Sequence, residues 1–216
     1  MIAVIDYGVG NLFSLKSSFA AIGEEARITS DEAVIRAADH VVLPGVGAFR
    51  DAVRKLEETG MKDVVLREAA SGKPFLGICL GMQLLFDRSF EDGEYRGLGL
   101  IPGEVRPIRD VIGPGLQVPH IGWNVLKTAG FRECPLFRDV PEGAHVYFVH
   151  SYAAFDCAAH TAAVTEYGAD LTAAVQRDNV FGCQFHPEKS GDTGLSILKA
   201  FCGLRGGKAE NREVFV

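Results

Sequence analysis

The sequence predicts an α/β fold: a parallel sheet in the first half of the chain, continued by a more antiparallel second half. Three observations predict it. Over residues 1–86, short apolar runs alternate with stretches whose apolar residues fall at helical spacing, as repeated strand–helix units require. The joints after two of these strands, Gly45-Val46-Gly47 and Cys79, lie at strand carboxyl ends, where parallel sheets bind ligands. From Leu98 onward the apolar runs become short and strand-like, divided by turn signals such as Asp178-Asn179.

Ile2 to Asp6 is a buried strand, followed by the turn Tyr7-Gly8-Val9-Gly10. Asn11 stands where a helix cap belongs, and Leu12, Leu15, Phe19 and Ile22 form the apolar stripe of a helix that Gly23 ends. Gly8-x-Gly10 lacks the third glycine of a dinucleotide fingerprint and reads as a tight strand–helix joint. Ala26 to Thr29 is the second strand. Ser30, Asp31 and Glu32 open a short helix with acids in its first turn. His40 to Leu43 is the third strand and runs into Pro44-Gly45-Val46-Gly47-Ala48-Phe49. Helices are expected over Phe49 to Glu58 and Met61 to Ala70. Pro74 to Ile78 makes the fourth strand, and Leu80, Leu84 and Leu85 predict a helix after it.

Asp87 to Gly97 reads as a polar loop. Strands are expected at Leu100-Ile101 and over 118–125, 145–155, 162–167, 171–176 and 180–185. The stretch 110–117, with Gly113-Pro114-Gly115, reads as a mobile loop. A helix over 192–202 turns Leu195, Leu198 and Phe201 inward. One domain is expected over 1–205, with a loose tail at 206–216.

Composition narrows the functional classes. A net charge of -6 argues against nucleic acid as a partner. No apolar run approaches the ~20 residues of a membrane span, and the start Met1-Ile2-Ala3-Val4 lacks the basic region of a signal peptide. The five cysteines are odd in number and include no C-x-x-C pair, so neither a disulfide framework nor a zinc knuckle is indicated, and a reducing cytoplasm is the expected location. His40, His120, His145, His150 and His160 lack metal-ligand spacing and read as core or surface residues; no metal site is expected.

The chemistry points to Cys79. It sits at a strand-to-helix corner inside Gly77-Ile78-Cys79-Leu80-Gly81, the Gly-x-nucleophile-x-Gly arrangement of a nucleophile elbow. The glycines permit a tight turn, and the N–H groups of a following helix favour thiolate. Taken alone, the motif is a weak signal and reads first as a small buried cysteine packed between glycines; the strand before it and the helix after it strengthen the catalytic reading. Phe185-His186-Pro187-Glu188-Lys189 can supply what a cysteine nucleophile needs, though taken alone it reads first as a surface loop with a solvated glutamate. Pro187 holds His186 extended, and in an extended chain Glu188 faces the same side and can hold the imidazole tautomer. The Gly45-x-Gly47 loop can bring backbone N–H groups to a ligand, or be an ordinary turn after proline.

These motifs together resemble the class I (triad) glutamine amidotransferases. Ile5-Asp6-Tyr7-Gly8-Val9-Gly10-Asn11-Leu12, Pro44-Gly45-Val46-Gly47-Ala48-Phe49, Pro119-His120-Ile121-Gly122-Trp123-Asn124, Tyr147-Phe148-Val149-His150-Ser151-Tyr152 and His186-Pro187-Glu188-Lys189-Ser190 look like a narrower family, the glutaminase subunits of imidazole glycerol phosphate synthases in histidine biosynthesis. The resemblance runs from Met1 to about Phe201. It implies a three-layer, flavodoxin-like fold with a parallel or mixed central sheet and an additional antiparallel portion.

It also implies roles. Cys79 attacks the side-chain amide of L-glutamine, His186 moves the proton and Glu188 orients His186. Leu80 N–H and a peptide N–H of the Val46-Gly47 loop bind the oxyanion. Gly45, Gln83, Glu91 and the Ser151-Tyr152 backbone hold the glutamine. No cofactor is implied. The ammonia goes to a (β/α)8-barrel cyclase in a heterodimer, faced by Trp123, Asn124 and Lys189; a core tryptophan is an equal reading of Trp123. Three readings compete: a glutaminase subunit of another pathway, such as pyridoxal phosphate or anthranilate synthesis; a non-catalytic scaffold, against which the intact Cys79, His186 and Glu188 argue; and a cysteine hydrolase or peptidase of similar topology.

Overall fold

The structure, a computed structural model, describes residues 1–128, 130 and 133–206; of the tail expected at 206–216, all but Gly206 lies outside the described residues. Four short strands open the chain: β1 (Ile2–Ile5), β2 (Ala26–Thr29), β3 (His40–Leu43) and β4 (Phe75–Ile78). They pair in parallel in the order β2-β1-β3-β4. Parallel neighbours need crossovers, and α1 (Leu12–Ala21), α2 (Glu32–Ala37), α3 (Phe49–Glu58) and α4 (Met61–Ala70) supply them. Every residue of β1, β3 and β4 is buried, which is why these strands read as unbroken apolar runs.

Alternate side chains divide between two cores. Ala3, Ile5, Val41, Leu43 and Phe75 join Ile35, Phe49, Leu56 and Val64 on one face. Ile2, Val4, Val42, Leu76 and Ile78 join Leu15, Phe19, Leu198 and Phe201 on the other. Helices α2, α3 and α4 therefore cover one face, and α1 with the last helix covers the other, giving three layers. Asp31 caps α2 by accepting the Ala33 N–H at 2.8 Å. Asn11 occupies the corresponding place before α1, but its side chain makes no cap bond.

After β4 the structure departs from the expected helix. Helix α5 (Leu80–Gln83) is a single turn. A longer helix would use the carbonyls of Leu84 and Leu85 itself. Instead they accept the N–H groups of Leu98 (2.8 Å), Leu100 (2.8 Å) and Ile101 (3.0 Å) from a crossing segment. Leu100-Ile101 is therefore not a strand, and Leu84 and Leu85 are buried by this crossing rather than by a helix face.

The expected loop 87–97 holds two short strands, β5 (Arg88–Ser89) and β6 (Tyr95–Arg96). Two residues are too few to show a strand's period of two. β7 (Glu104–Pro107) follows, then β8 (His120–Val125) and β9 (His145–His150), which form a two-stranded antiparallel sheet of their own. The run expected as one strand over 145–155 breaks at Ser151, and β10 (Tyr152–Phe155) leaves to join a four-stranded sheet of order β10-β7-β5-β6. Within 110–117, Asp110 ends a 3-10 turn and Ile112 is buried, with no strand or helix across the rest.

β11 (Thr161–Glu166), β12 (Asp170–Arg177) and β13 (Val180–Cys183) complete the central sheet, in the order β11-β12-β13-β4-β3-β1-β2. β12 runs antiparallel to both its neighbours, and β13 runs parallel to β4. The sheet is thus parallel at its centre and antiparallel at one side. Helix α6 (Gly191–Cys202) closes the fold, with Ile197, Leu198 and Phe201 buried; Leu195 is only half-buried.

Candidate active site

The neighbouring strands β3, β4 and β13 run parallel, so their carboxyl ends meet along one edge. Pro44-Gly45 leaves β3 there, Cys79 leaves β4, and Phe185-His186 follows β13. Residues more than a hundred positions apart in sequence are joined by this topology.

Cys79 has φ 56 and ψ -112, a backbone conformation rare outside glycine. Its N–H donates to the Cys183 carbonyl at 2.7 Å, and its carbonyl accepts from Gln83 N–H at 3.1 Å, so strand β13 and the next turn hold the corner. The two glycines of the motif are sterically required. A Cβ on Gly77 would lie 2.6 Å from the Gly81 carbonyl oxygen, and a Cβ on Gly81 would collide with the Leu43 carbonyl oxygen. Because α5 is one turn long, the dipole at the sulfur is that of a single turn rather than of the full helix expected.

His186 is extended (φ -98, ψ 99), as the following proline demands. Glu188 reaches it by a different route from the expected one. Pro187–Lys189 is a 3-10 turn closed by Lys189 N–H on the His186 carbonyl at 3.0 Å, and this turn folds Glu188 back onto the ring. His186 Nδ1 lies 2.7 Å from Glu188 Oε1, with both side chains almost fully buried. A carboxylate only accepts, so Nδ1 carries the proton of a neutral ring and Nε2 is left as its acceptor. Nε2 is buried without a hydrogen-bond partner. Burial works against a charged ring, but the Cys79 thiol and the Glu188 carboxylate outweigh it and raise His186 to about 9.

The other expected positions differ in burial and in hydrogen-bond partners. Gln83 is buried and its Nε2 donates to the Tyr152 carbonyl. Glu91 is half-buried; its Oε2 accepts the Phe49 N–H at 2.7 Å, and burial raises its carboxyl above the usual range. The Ser151 carbonyl accepts the Ile108 N–H at 3.0 Å. Val46 and Gly47 are exposed, Gly47 with φ 94, whereas Gly45 is buried and its carbonyl accepts the Leu80 N–H.

Trp123 is 55% exposed, so the core reading of it fails. Its ring meets Tyr147 edge-on at 6.2 Å, and Lys189 Nζ lies 5.5 Å from the same tyrosine ring, so Trp123 and Lys189 share one surface. Asn124 is half-buried, with both amide atoms engaged by the protein. Among the described residues no cluster of three or more His, Cys, Asp and Glu could hold a metal ion.

Sequence reasoning missed four residues at this site. Gln184 is fully buried, with its Nε2 3.8 Å from the Cys79 sulfur. It lies two residues before His186, just past the end of β13 and inside the run expected as a strand over 180–185, and that spacing was a usable signal. Tyr7, read only as part of a turn, donates its hydroxyl to the Pro44 carbonyl at 2.8 Å and anchors the loop after β3. His120 and His150, read as ordinary core or surface histidines, are buried partners directly opposite each other across β8 and β9. Only the pairing register reveals them.

The chain matches the family model "Glutamine amidotransferase class-I" over residues 3–203. It is 52% identical over 204 residues to "Imidazole glycerol phosphate synthase subunit HisH" of Geobacter metallireducens, covering 93% of this chain and 96% of that protein. The protein of the same name from Lacticaseibacillus casei is 47% identical over 213 residues, covering 99% of this chain and all of its own length. Among solved structures, "Crystal structure of glutamine amidotransferase" superposes with a TM-score of 0.71 at 20% identity over 94% of this chain and 100% of that one. "Structure of PurLQS from Thermotoga maritima" gives 0.71 at 17% identity over 93% and 96%. At such identities the superpositions speak for the fold alone.

Proposed function

The chain belongs to the class I glutamine amidotransferase family, and from that premise we propose that it is the glutaminase subunit of an imidazole glycerol phosphate synthase. One observation carries the reading: proteins named as that subunit match the chain at about half identity over nearly the full length of both partners. The arrangement at the sheet edge supplies a chemistry consistent with it.

In this reading the Cys79 proton passes to His186 Nε2, and the thiolate of the resulting pair adds to the carboxamide carbon of glutamine. The imidazolium, held by Glu188, protonates the amide nitrogen as the C–N bond breaks, so that neutral ammonia leaves. Water then hydrolyses the thioester to glutamate, with His186 as base. Glu91 receives the α-ammonium, Gln83 and Gly45 contact the bound glutamine, and the Ser151-Tyr152 backbone takes its α-carboxylate. The oxyanion is bound by Leu80 N–H and by a peptide N–H of the Val46-Gly47 loop.

The ammonia must reach an acceptor unprotonated, because its cation is no nucleophile. A partner subunit that seals the path is therefore required. The resemblance makes it a (β/α)8-barrel cyclase docked over Trp123, Asn124 and Lys189. No helix among the described residues is long and apolar enough to cross a membrane, and the reaction belongs in the cytoplasm.

The test is glutamine hydrolysis by the chain alone, with a cyclase partner, and with the partner plus imidazole glycerol phosphate. The last mixture is expected to be the active one. Turnover of peptides or esters but not glutamine would replace the reading with a cysteine hydrolase, and stimulation by a different synthase would reassign the pathway.

A further inference from the structure

Hydrogen bonds run without a break from the nucleophilic sulfur to strand β8. Gln184 Nε2 donates toward Cys79 Sγ at 3.8 Å, and Gln184 Oε1 accepts from Gln83 Nε2 at 3.0 Å. Gln83 Nε2 also donates to the Tyr152 carbonyl at 3.0 Å, and His150 Nδ1 reaches the same oxygen at 2.9 Å. His150 Nε2 is 3.0 Å from His120 Nδ1, and His120 Nε2 is 3.3 Å from Asn124 Nδ2.

The direction of every bond is forced. A carbonyl only accepts, so Gln83 must turn an N–H to Tyr152, and His150 must carry its proton on Nδ1. A neutral His150 then has a bare Nε2, to which His120 donates from Nδ1. His120 is left with a bare Nε2, which takes an Asn124 N–H. Asn124 cannot turn over, because its Oδ1 accepts Val125 N–H at 2.7 Å and its Nδ2 donates to the Glu166 carbonyl at 2.9 Å. His120 is held in plane by stacking on Tyr167 at 4.1 Å and on Phe148 at 4.9 Å. Burial lowers both histidines to about 4, so both rings are neutral near neutrality.

The chain fixes what reaches the reaction. Gln83 uses both its N–H bonds on Tyr152 and Gln184, so only its Oε1 remains, and it can only accept from a ligand. Gln184 has its oxygen occupied, so it presents an N–H to sulfur, the polarity that suits a thiolate. We propose that His120 and His150 are positioning residues of the glutaminase site, two Nδ1–H tautomers in series that fix the Tyr152 carbonyl and, through it, the amides of Gln83 and Gln184. The inference rests on the glutaminase reading. It also gives Asn124, on the strand assigned to the partner face, a covalent-free link to the nucleophile.

Two measurements test it. In the full chain with isotope-labelled histidine nitrogens, ring correlations by NMR at neutral pH are expected to show both rings neutral and protonated on Nδ1. An Nε2–H tautomer or an imidazolium at either position overturns the proposal, whatever reaction the protein catalyses. In the complex with cyclase and imidazole glycerol phosphate, His150→Phe keeps the bulk and loses the donor, whereas His150→Asn keeps a donor near the Nδ1 position. His150→Phe is expected to raise KM for glutamine ~10-fold with a smaller change in kcat, the size of one lost hydrogen bond. His150→Asn is expected to recover most of that loss. Equal loss in both variants, or a wild-type KM in His150→Phe, shows a packing role only and overturns the proposal. A wild-type complex that hydrolyses no glutamine overturns the glutaminase reading instead, and the NMR result still decides the tautomers.

Discussion

The Gly45 carbonyl oxygen accepts the Leu80 N–H at 3.3 Å. A bond between loop and elbow thus occupies the N–H assigned to the oxyanion. The N–H of the same peptide belongs to Val46 and points the opposite way, because the peptide group is planar and trans. Rotating this one peptide would free Leu80 N–H and set Val46 N–H beside it. Residue 45 has to be glycine for the close contact: a Cβ there would lie 2.8 Å from Gly81 N and 2.9 Å from Leu80 Cβ. A glutaminase resting in this state wastes no glutamine, and docking of a ligand-loaded partner is the expected trigger.

Val46→Pro deletes the N–H that the rotation would present. Stimulated glutamine turnover in the complex is expected to fall by ~10²–10³, the loss seen for one oxyanion donor, while alkylation of Cys79 continues. Full stimulated activity in this variant would show that the Gly45–Val46 peptide is not the switch. The chain alone is expected to be slower than the stimulated complex by a factor of the same order.

A glutamine-analogue electrophile is expected to label Cys79 and spare the other four cysteines. Burial raises the thiols of Cys157 and Cys183, and Cys202 to about 12, leaving little thiolate at neutral pH. Cys79→Ser should remain folded and lose hydrolysis. Peptide mapping that finds the label elsewhere, with Cys79 untouched, would remove Cys79 from the reaction.

Glu188→Gln is expected to move the alkaline limb of the rate profile to lower pH. His186 is raised from 6.5 to about 9 against the effect of burial, with Cys79 and Glu188 as the causes. The stability from its proton is therefore complete below about pH 6.5 and is lost as pH rises through about 9. Removing the Glu188 charge takes away part of the raise, so the limb shifts down. The loss in kcat should be smaller than in His186→Ala, which removes the proton carrier itself. An unmoved limb in steady-state profiles would reduce Glu188 to a structural charge.

Gly81→Ala should destabilise the protein by about 1–3 kcal/mol or prevent folding, because its methyl would collide with the Leu43 carbonyl oxygen, a backbone atom that cannot rotate away. Thermal denaturation checks this. An unchanged melting temperature would mean that β3 and α5 can separate without cost.

The first half of the chain was legible because its strands are buried on both faces and its first helix carries a clear stripe; Leu15 and Phe19 are buried where the spacing put them. That Cys79 and His186 both sit at strand ends, with Glu188 against the imidazole, was legible because tight backbone geometry demands particular residues around them. Two kinds of feature were not. The one-turn length of α5 depends on a crossing segment that takes the carbonyls of Leu84 and Leu85, a contact without local trace. The break at Ser151 splits one apolar run between two sheets, and only strand pairing, not periodicity, decides it. His120 and His150 were passed over for the same reason, because their meaning lies in cross-strand register.

The parallel pairing of β4 with β13 also sets when the protein becomes chemically competent during its own synthesis. On the proposed reading the nucleophile, Cys79, is translated before the base, His186, and its carboxylate, Glu188, in a segment whose local strand–helix units can form as they emerge. Such long-range pairing is slow and comes after local structure. A nascent chain therefore carries its sulfur unarmed until β13 threads in beside β4, and a chain cut short before that strand has an elbow but no base. On the proposed reading, quality control comes built into the topology: a product truncated before β13 is expected to release no ammonia.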